Sequence, residues 1–596
     1  MNIKLNRKKK IYLITFFIIC AIVLIVTPSA YYGVRNKRDS HDRSNQPEDI
    51  TPNTTDTPSP SPSPSPSPSP TPKPYPARPM IVPWPDYITY QMNSLVISNQ
   101  FQLRIVNSKS DILAQAVQRY QELLPLDYVA WTINPELPLL NACTVSVGSD
   151  NENLFLGVDE SYHLEITVDQ VCSLYSPTVF GALRGLETIS QLFVLNGTTG
   201  SLVFNYYPVL IKDKPRFPHR GVMLDTSRHF YPVPTIKQFI DTLSYAKMNV
   251  FHWHLVDANS FPMESKVYPN MTMGAFNGFE IYRQSEILDV IEYAKYRGIR
   301  VMPEIDVPGH ATSWGFAFPE VLPDDFKSMD NCHSDRYTWD NVPLDPTKPK
   351  SLEVATALIK ETMNLFNDEF IHIGGDEVDR NCWQSKQIQQ WMNDNGFKGF
   401  DDLERWFDSK IQNTVIDNKK SPVVWEDSFF LFGKHLGNNS VVDVKLPKET
   451  IIHLYHNLSL SSDIVSQGYR VIVSNAWSWY LDLRQPWQVY YANEISQWID
   501  NDDAKQVSLL LGGETCLWSE NADVTTLYKK VWPKSGAAAE RLWSKASLND
   551  TEEFEPRLKS FNCHLYYRGF GVTQTDILPG SCFESNFVNT YQMAHQ

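Results

Sequence analysis

Basic runs are missing from this 596-residue chain beyond its first forty residues, and the formal charge is -15. Together these argue against nucleic acid as a partner. Cysteines are few, eight in all, and none stands at a zinc-site spacing. No glycine-rich loop of the phosphate-cradling pattern opens a helix, which argues against phosphate ligands. What the chain does have is globular composition, and length enough for two or three domains.

The N-terminus stands apart from the fold. Lys4, Arg7, Lys8, Lys9 and Lys10 precede an uncharged run from Ile11 to about Tyr32, long enough to span a bilayer. A cleaved leader would need a shorter apolar core and a small-x-small site, whereas Thr27-Pro-Ser-Ala30 puts a proline in the way. The expectation is a single-pass type II membrane protein held by a signal-anchor, its globular part luminal or extracellular. The alternative is a lysosomal or secreted chain after cleavage. Sequons at Asn53, Asn196, Asn270, Asn438, Asn457 and Asn549 fit the secretory pathway.

Composition then divides the chain into a tail and anchor over 1–38, a Ser/Pro-rich linker over 39–78, a small α/β domain over 79–213 and a larger domain over 214–596. Cys20 lies in the apolar run, so one of the other seven cysteines must stay single. Pairing by proximity gives Cys143–Cys172, Cys332–Cys382 and Cys563–Cys582 and leaves Cys516 free, although sequence alone permits other connectivities.

Within the small domain, 112–124 and 180–193 have helical spacing and Thr144-Val-Ser-Val147 reads as a strand. After Lys214-Pro-Arg-Phe-Pro218 the pattern becomes strand and helix repeated. Apolar runs recur at Gly221–Leu224, Val250–Val256, Ile299–Val307, Phe370–Ile373, Pro422–Trp425, Thr450–Tyr455, Val471–Asn475 and Leu509–Leu511. Eight such runs alternating with amphipathic helices predict a (β/α)₈ TIM barrel behind a small α+β domain, with a doubly wound sheet as runner-up.

A barrel enzyme collects its chemistry just after each strand. Here the strand ends carry Asp225-Thr-Ser-Arg228, Asp257, His310, Trp425, Tyr455, Tyr480 with Asp482, and Trp518 with Glu520. The central stretch is Phe370-Ile-His-Ile-Gly-Gly-Asp-Glu377, a short strand that passes through two glycines to paired carboxylates. Gly374 and Gly375 free the backbone from the pleat, so Asp376 and Glu377 can turn toward one mouth. One can stay ionised while its buried neighbour keeps a proton and serves as an acid. Aromatics at the same rim suit the apolar faces of a sugar ring.

These stretches, with Arg220-Gly-Val-Met-Leu-Asp-Thr-Ser-Arg-His-Phe230, Asn249-Val-Phe-His-Trp-His-Leu-Val-Asp257, Pro308-Gly-His310, His372-Ile-Gly-Gly-Asp-Glu-Val378 and Gly512-Gly-Glu-Thr-Cys-Leu-Trp518, resemble the β-N-acetylhexosaminidases of glycoside hydrolase family 20, the eukaryotic lysosomal type in particular. The resemblance covers roughly residues 80 to 590 and implies a retaining exo-glycosidase that takes terminal GlcNAc or GalNAc from glycoconjugates or chitooligosaccharides. In that chemistry the substrate's own acetamido oxygen attacks the anomeric carbon, so no protein nucleophile is needed. By the resemblance, Glu377 protonates the leaving oxygen and Asp376 orients the acetamido group. Arg228, Asp482 and Glu520 hold sugar hydroxyls, Tyr480 bonds the acetamido group, and Trp425, Trp518 and Tyr455 wall the pocket. Asp257 and His310 support the acid. Tyr455 stands where the family usually has tryptophan, and Leu483 where relatives accepting sulfated sugars carry arginine, which implies neutral substrates. The resemblance implies no cofactor or metal, N-acetylhexosamine-terminated glycans as partners, and a possible homodimer.

Two other classes compete. His252-x-His254 resembles the opening of a metal-dependent amidohydrolase barrel, but His310, His372, His453 and His456 do not complete a familiar ligand set. A membrane-tethered, non-catalytic glycan-binding protein would typically have lost Glu377, which this chain retains.

Overall fold

The computed structural model describes residues 78–582 apart from 125–136, 197–200, 325, 329–331, 333–340, 431–445 and 573–581. The expected anchor, almost all of the linker, Asn53 and Asn438 lie outside the described residues. Among the described residues no helix is long and apolar enough to cross a membrane. Asn270, Asn457 and Asn549 are exposed and Asn196 is half-buried.

The first part is a six-stranded mixed sheet of β1 (Tyr87–Ile105), β2 (Leu139–Val147), β3 (Tyr162–Ile166), β4 (Cys172–Ser176), β5 (Val194–Leu195) and β6 (Leu202–Asp213). The helices Asp111–Leu123 and Val179–Leu192 accompany it, with side-chain caps from Ser110 and Thr178. Sequence periodicity located both helices. It missed β1 and β6, whose burial is too uneven to alternate cleanly, because β1 pairs with β6 through its first half and with β2 through its second.

The second part is a closed barrel of eight parallel strands: β7 (His219–Asp225), β8 (Val250–Val256), β9 (Arg300–Ile305), β10 (Phe370–His372), β11 (Ser421–Trp425), β12 (Ile451–Leu454), β13 (Arg470–Val473) and β14 (Leu510–Leu517), with β14 pairing back onto β7. Each lies on one of the eight apolar runs. The amphipathic helices between them pack their apolar stripes inward, Ile236, Phe239, Ile240 and Leu243 on one and Ile287, Val290 and Ala294 on the next. One interior layer is filled by Val250, Met302, Phe370, Val423, Ile451, Ile472 and Leu511. Toward the C-terminal end of the strands the filling becomes polar: His252, His254, Glu304, His372, His453 and Glu514 are fully buried there.

Buried charge fastens the two parts. Glu160 accepts from Arg184 Nε at 2.8 Å, from Arg220 Nη2 on β7 at 2.7 and 2.8 Å, and from Asn249 Nδ2 at 3.0 Å. Lys247 Nζ reaches Asp213 Oδ2 and Tyr162 Oη, each at 2.9 Å. Disulfides join Cys143 to Cys172, Cys332 to Cys382 and Cys563 to Cys582, while Cys516 is free and buried. The second of these ties the segment before β10 to the turn just beyond Glu377.

Candidate active site

Strand β10 is only three residues long, and the chain leaves it through Gly374 at φ 65° and Gly375 at φ 91°. Both are held against neighbours by close approach. A Cβ on Gly374 would lie 1.7 Å from Asp306 Oδ1, and one on Gly375 2.2 Å from Ser428 Oγ. Glu377 itself takes φ 48°, a left-handed conformation rare for a glutamate. The result is that the two adjacent carboxylates share a mouth. Nε2 of His310, another residue at positive φ, lies 3.7 Å from Asp376 Oδ2 and 3.7 Å from Glu377 Oε2.

Burial separates the pair in the direction opposite to the expected acid. The Asp376 side chain is 10% exposed and that of Glu377 53%. Burial and the nearby Asp306 push Asp376 well above the usual carboxylate range, against the pull of His310. Asp376 is thus the enclosed member of the pair, and Glu377, at its left-handed backbone, opens to the mouth.

Arg228, Asp257, His310, Asp376, Glu377, Tyr455, Tyr480, Asp482, Trp518 and Glu520 line one cavity of about 950 Å³ at the rim. They come from loops after seven different strands, which is how a barrel assembles a site. Trp425 is not among the lining residues: it is fully buried beneath, grouped with Met223, Tyr455 and Cys516. Its Nε1 donates to Glu304 Oε1 at 2.8 Å. Tyr455 and Tyr480 stack with ring centres 6.3 Å apart and planes 6° apart, leaving two parallel faces beside Trp518.

Arg228 is the cationic centre. Its Nη1 lies 2.7 Å from Asp257 Oδ2 and 3.4 Å from Asp225 Oδ2, its Nε 3.9 Å from Glu520 Oε1, and its guanidinium 5.1 Å from the Trp518 ring centre. Burial alone would weaken that charge, but Asp257, Asp225 and Glu520 hold it on. Burial raises Asp257, and Arg228 and His310 more than reverse it, so Asp257 stays ionised. Asp257 Oδ1 in turn lies 3.1 Å from His310 Nδ1. Asn341 braces the turn, donating from Nδ2 to the Glu377 carbonyl at 2.9 Å and accepting at Oδ1 from the His310 backbone N–H.

Sequence reading missed several groups. Phe276 and Glu280 reach the cavity from the long segment after β8, where no periodicity marks them. Asp427 hides behind Trp425 in the sequence as one more loop acid, yet Oδ2 accepts from Tyr455 Oη at 2.7 Å and lies 3.4 Å from the Glu377 N–H. Of the histidines weighed as metal ligands, His252 faces Glu514 and Glu304, His254 faces Glu304 and Asp257, and His372 faces Glu304, whereas His453 Nδ1 lies 3.3 Å from His372 Nε2.

Comparison with known proteins bears on the same region. Residues 217–546 match the model of the glycosyl hydrolase family 20 catalytic domain, and 81–192 a model described as beta-acetyl hexosaminidase like. Beta-hexosaminidase subunit B2 of Dictyostelium discoideum is 39% identical over 516 residues, 85% of this chain and 90% of that relative. Beta-hexosaminidase subunit alpha of Mus musculus is 37% identical over 534 residues, 85% of this chain and 96% of that one. The solved chitobiase of Flavobacterium johnsoniae superposes with a TM-score of 0.71 at 30% identity, covering 82% of this chain and 72% of its own.

Proposed function

This chain belongs to glycosyl hydrolase family 20, and from that membership we propose a retaining exo-β-N-acetylhexosaminidase acting on terminal non-reducing GlcNAc or GalNAc of glycoconjugates or chitooligosaccharides. The observation that carries the reading is the meeting of Asp376 and Glu377 around His310 Nε2, in a cavity that also holds Arg228, Tyr480 and Trp518. Glu377, open to the mouth, reaches the leaving oxygen, gives it a proton, and later takes one from the attacking water. The acetamido oxygen of the substrate attacks the anomeric carbon, and the glycosidic bond breaks as the oxazolinium ring closes. Asp376 receives the acetamido N–H. Its carboxylate faces the positive charge that grows on the oxazolinium, so this stabilisation is strongest in the transition state.

Arg228, Asp482 and Glu520 accept and donate hydrogen bonds to the ring hydroxyls, and Tyr480 donates to the acetamido group. Tyr455 and Trp518 cover the sugar's apolar faces, with Trp425 as the floor beneath them. Asp257 and His310 act through Glu377 as positioning residues. Leu483 offers no charge to a sulfated sugar. The apolar run from Ile11 to Tyr32 supports a type II anchor with this domain luminal or extracellular, with lysosomal delivery or secretion as the alternative; a homodimer is the expected assembly.

The test is hydrolysis of an aryl N-acetyl-β-glucosaminide by the wild type, Glu377→Gln and Asp376→Asn across a pH series. Each substitution is expected to lower kcat by about 10² to 10⁴, and the plain glucoside to be inert. A folded wild type inactive on every N-acetylhexosaminide overturns the reading.

A further inference from the structure

The polar filling of the barrel is ordered. Glu514 Oε2 lies 2.8 Å from His252 Nδ1, and His252 Nε2 lies 3.1 Å from Glu304 Oε2. That same Glu304 oxygen is 2.6 Å from His254 Nδ1, and His254 Nε2 is 3.0 Å from Asp257 Oδ2. Asp257 Oδ1 is 3.1 Å from His310 Nδ1, and His310 Nε2 faces Asp376 and Glu377. Carboxylate and imidazole therefore alternate from the barrel interior to the mouth. His254 meets a carboxylate within hydrogen-bond distance at both nitrogens, and only the doubly protonated ring can donate at both, while His252 and His310 each make one such bond, through Nδ1, and turn Nε2 toward a further carboxylate. Charge alternation along the file also answers the cost of burying each ion alone.

We propose that Glu304 is a positioning residue for catalysis: it holds His254 as the imidazolium that fixes Asp257 and His310, and through them the acid Glu377, while its other oxygen pins Trp425. The inference rests on the proposed function and extends it inward, to a residue that does not touch substrate.

The surroundings agree. Burial lowers the basicity of the His252 and His254 rings, yet Glu514 and Glu304 bring His252 to about 9, and Glu304 with Asp257 takes His254 well above its ordinary value. Glu304 stays well below the carboxylate range despite burial, through His372 and His254. The other groups facing this row are Asp306 just after the strand of Glu304, His372 on β10 at 3.0 Å from Oε1, His219 with Nε2 2.5 Å from Glu514 Oε1, His453 within 4.8 Å of His252 and Glu514, Arg228 with Nη1 3.3 Å from His254 Nε2, and Asp225. Asp306, beside two like charges and buried, is pushed well above its ordinary value and adds little negative charge.

Glu304→Gln removes the charge and keeps the size. Loss of a shared counter-charge lowers the basicity of His254 and His252, so the proton count that supports His310 falls at a lower pH. The experiment measures kcat/KM against pH for two N-acetyl-β-glucosaminides, one with a 2,4-dinitrophenyl leaving group and one with a sugar leaving group. Dinitrophenolate departs without a proton; a sugar does not. The expected result in Glu304→Gln is a basic limb displaced downward by about one pH unit, with a loss on the sugar substrate at least about tenfold greater than on the dinitrophenyl one. Equal losses on both substrates with an unmoved limb overturn the proposal, since a merely structural glutamate would harm both alike. Should Glu304→Gln not fold, His254→Gln breaks the file at the next link and is read by the same two outcomes. A wild type inactive on both substrates fails at the proposed function itself and takes this inference with it, a result distinct from an active wild type with unselective variants.

Discussion

The phenol of Tyr455 donates a 2.7 Å hydrogen bond to Oδ2 of Asp427. A tryptophan in place of Tyr455 would have a larger face and no such bond, so the tyrosine couples a pocket wall to a buried acid beside the Asp376–Glu377 turn. Burial pushes Asp427 up to about 7, against the Tyr455 hydrogen bond, which pulls it down. A carboxyl raised in the folded state is neutral in both states at low pH. As pH rises from about 4 to about 7 the unfolded chain ionises first, and stability is lost across that window, of order a few kcal/mol. Asp427→Asn is expected to melt higher than the wild type at pH 7.5 and no higher at pH 4, as followed by thermal unfolding.

Arg228→Lys keeps the charge and loses the planar fork that spans Asp257, Asp225 and Glu520. The expected outcome is a folded protein with kcat/KM on an aryl N-acetylglucosaminide down by about 10² or more. Arg228→Ala leaves Asp257 and Asp225 buried without their cation and is expected to cost about 3 kcal/mol of stability as well. Steady-state kinetics and denaturant midpoints check the two.

Gly374→Ala is expected to be far more damaging than an ordinary glycine substitution. The new methyl would need the space of the Asp306 carboxylate, 1.7 Å away, at a backbone angle that side chains avoid. Loss of more than about 3 kcal/mol, or failure to accumulate in folded form, is the expected result. A Gly468→Ala control sits in open space at a similar positive φ and isolates the backbone part of the cost.

Dialysis against a strong chelator is expected to leave both activity and the melting midpoint unchanged. The buried histidines that lie near carboxylates are already partnered by them: His252 with Glu514, His254 with Glu304 and Asp257. A loss restored by adding back a divalent cation would contradict this.

Much of the architecture is readable from the sequence because barrel strands, buried on both faces, are written as continuous apolar runs. All eight runs from Gly221 to Leu511 became strands, and rim residues after seven of them converge on one cavity, Trp425 at the end of β11 being the exception. The small domain was less readable, since β1 and β6 switch partners along their length and mix exposed with buried positions. Asp376 and Glu377 stood out as a pair, but which of them is enclosed depends on Asp306 and on the left-handed turn at Glu377, and neither leaves a mark in local sequence. The histidines of β8 suggested metal because residue type was visible and their partners were not: Glu304 and Glu514 lie 50 and 262 positions away along the chain.

The clamp between Glu160 and Arg220 has a meaning for how the chain comes into being. Synthesis runs from the N-terminus, so Glu160 and the sheet around it leave the ribosome first, and β7 follows directly with the arginine that Glu160 awaits. At that moment β7 has no β14 to pair with, and its far edge would be open to any strand nearby. The Glu160 clamp gives β7 a seat on the earlier-made sheet before β14 exists, while Trp543 joins the core of that sheet only when the end of the barrel has been made.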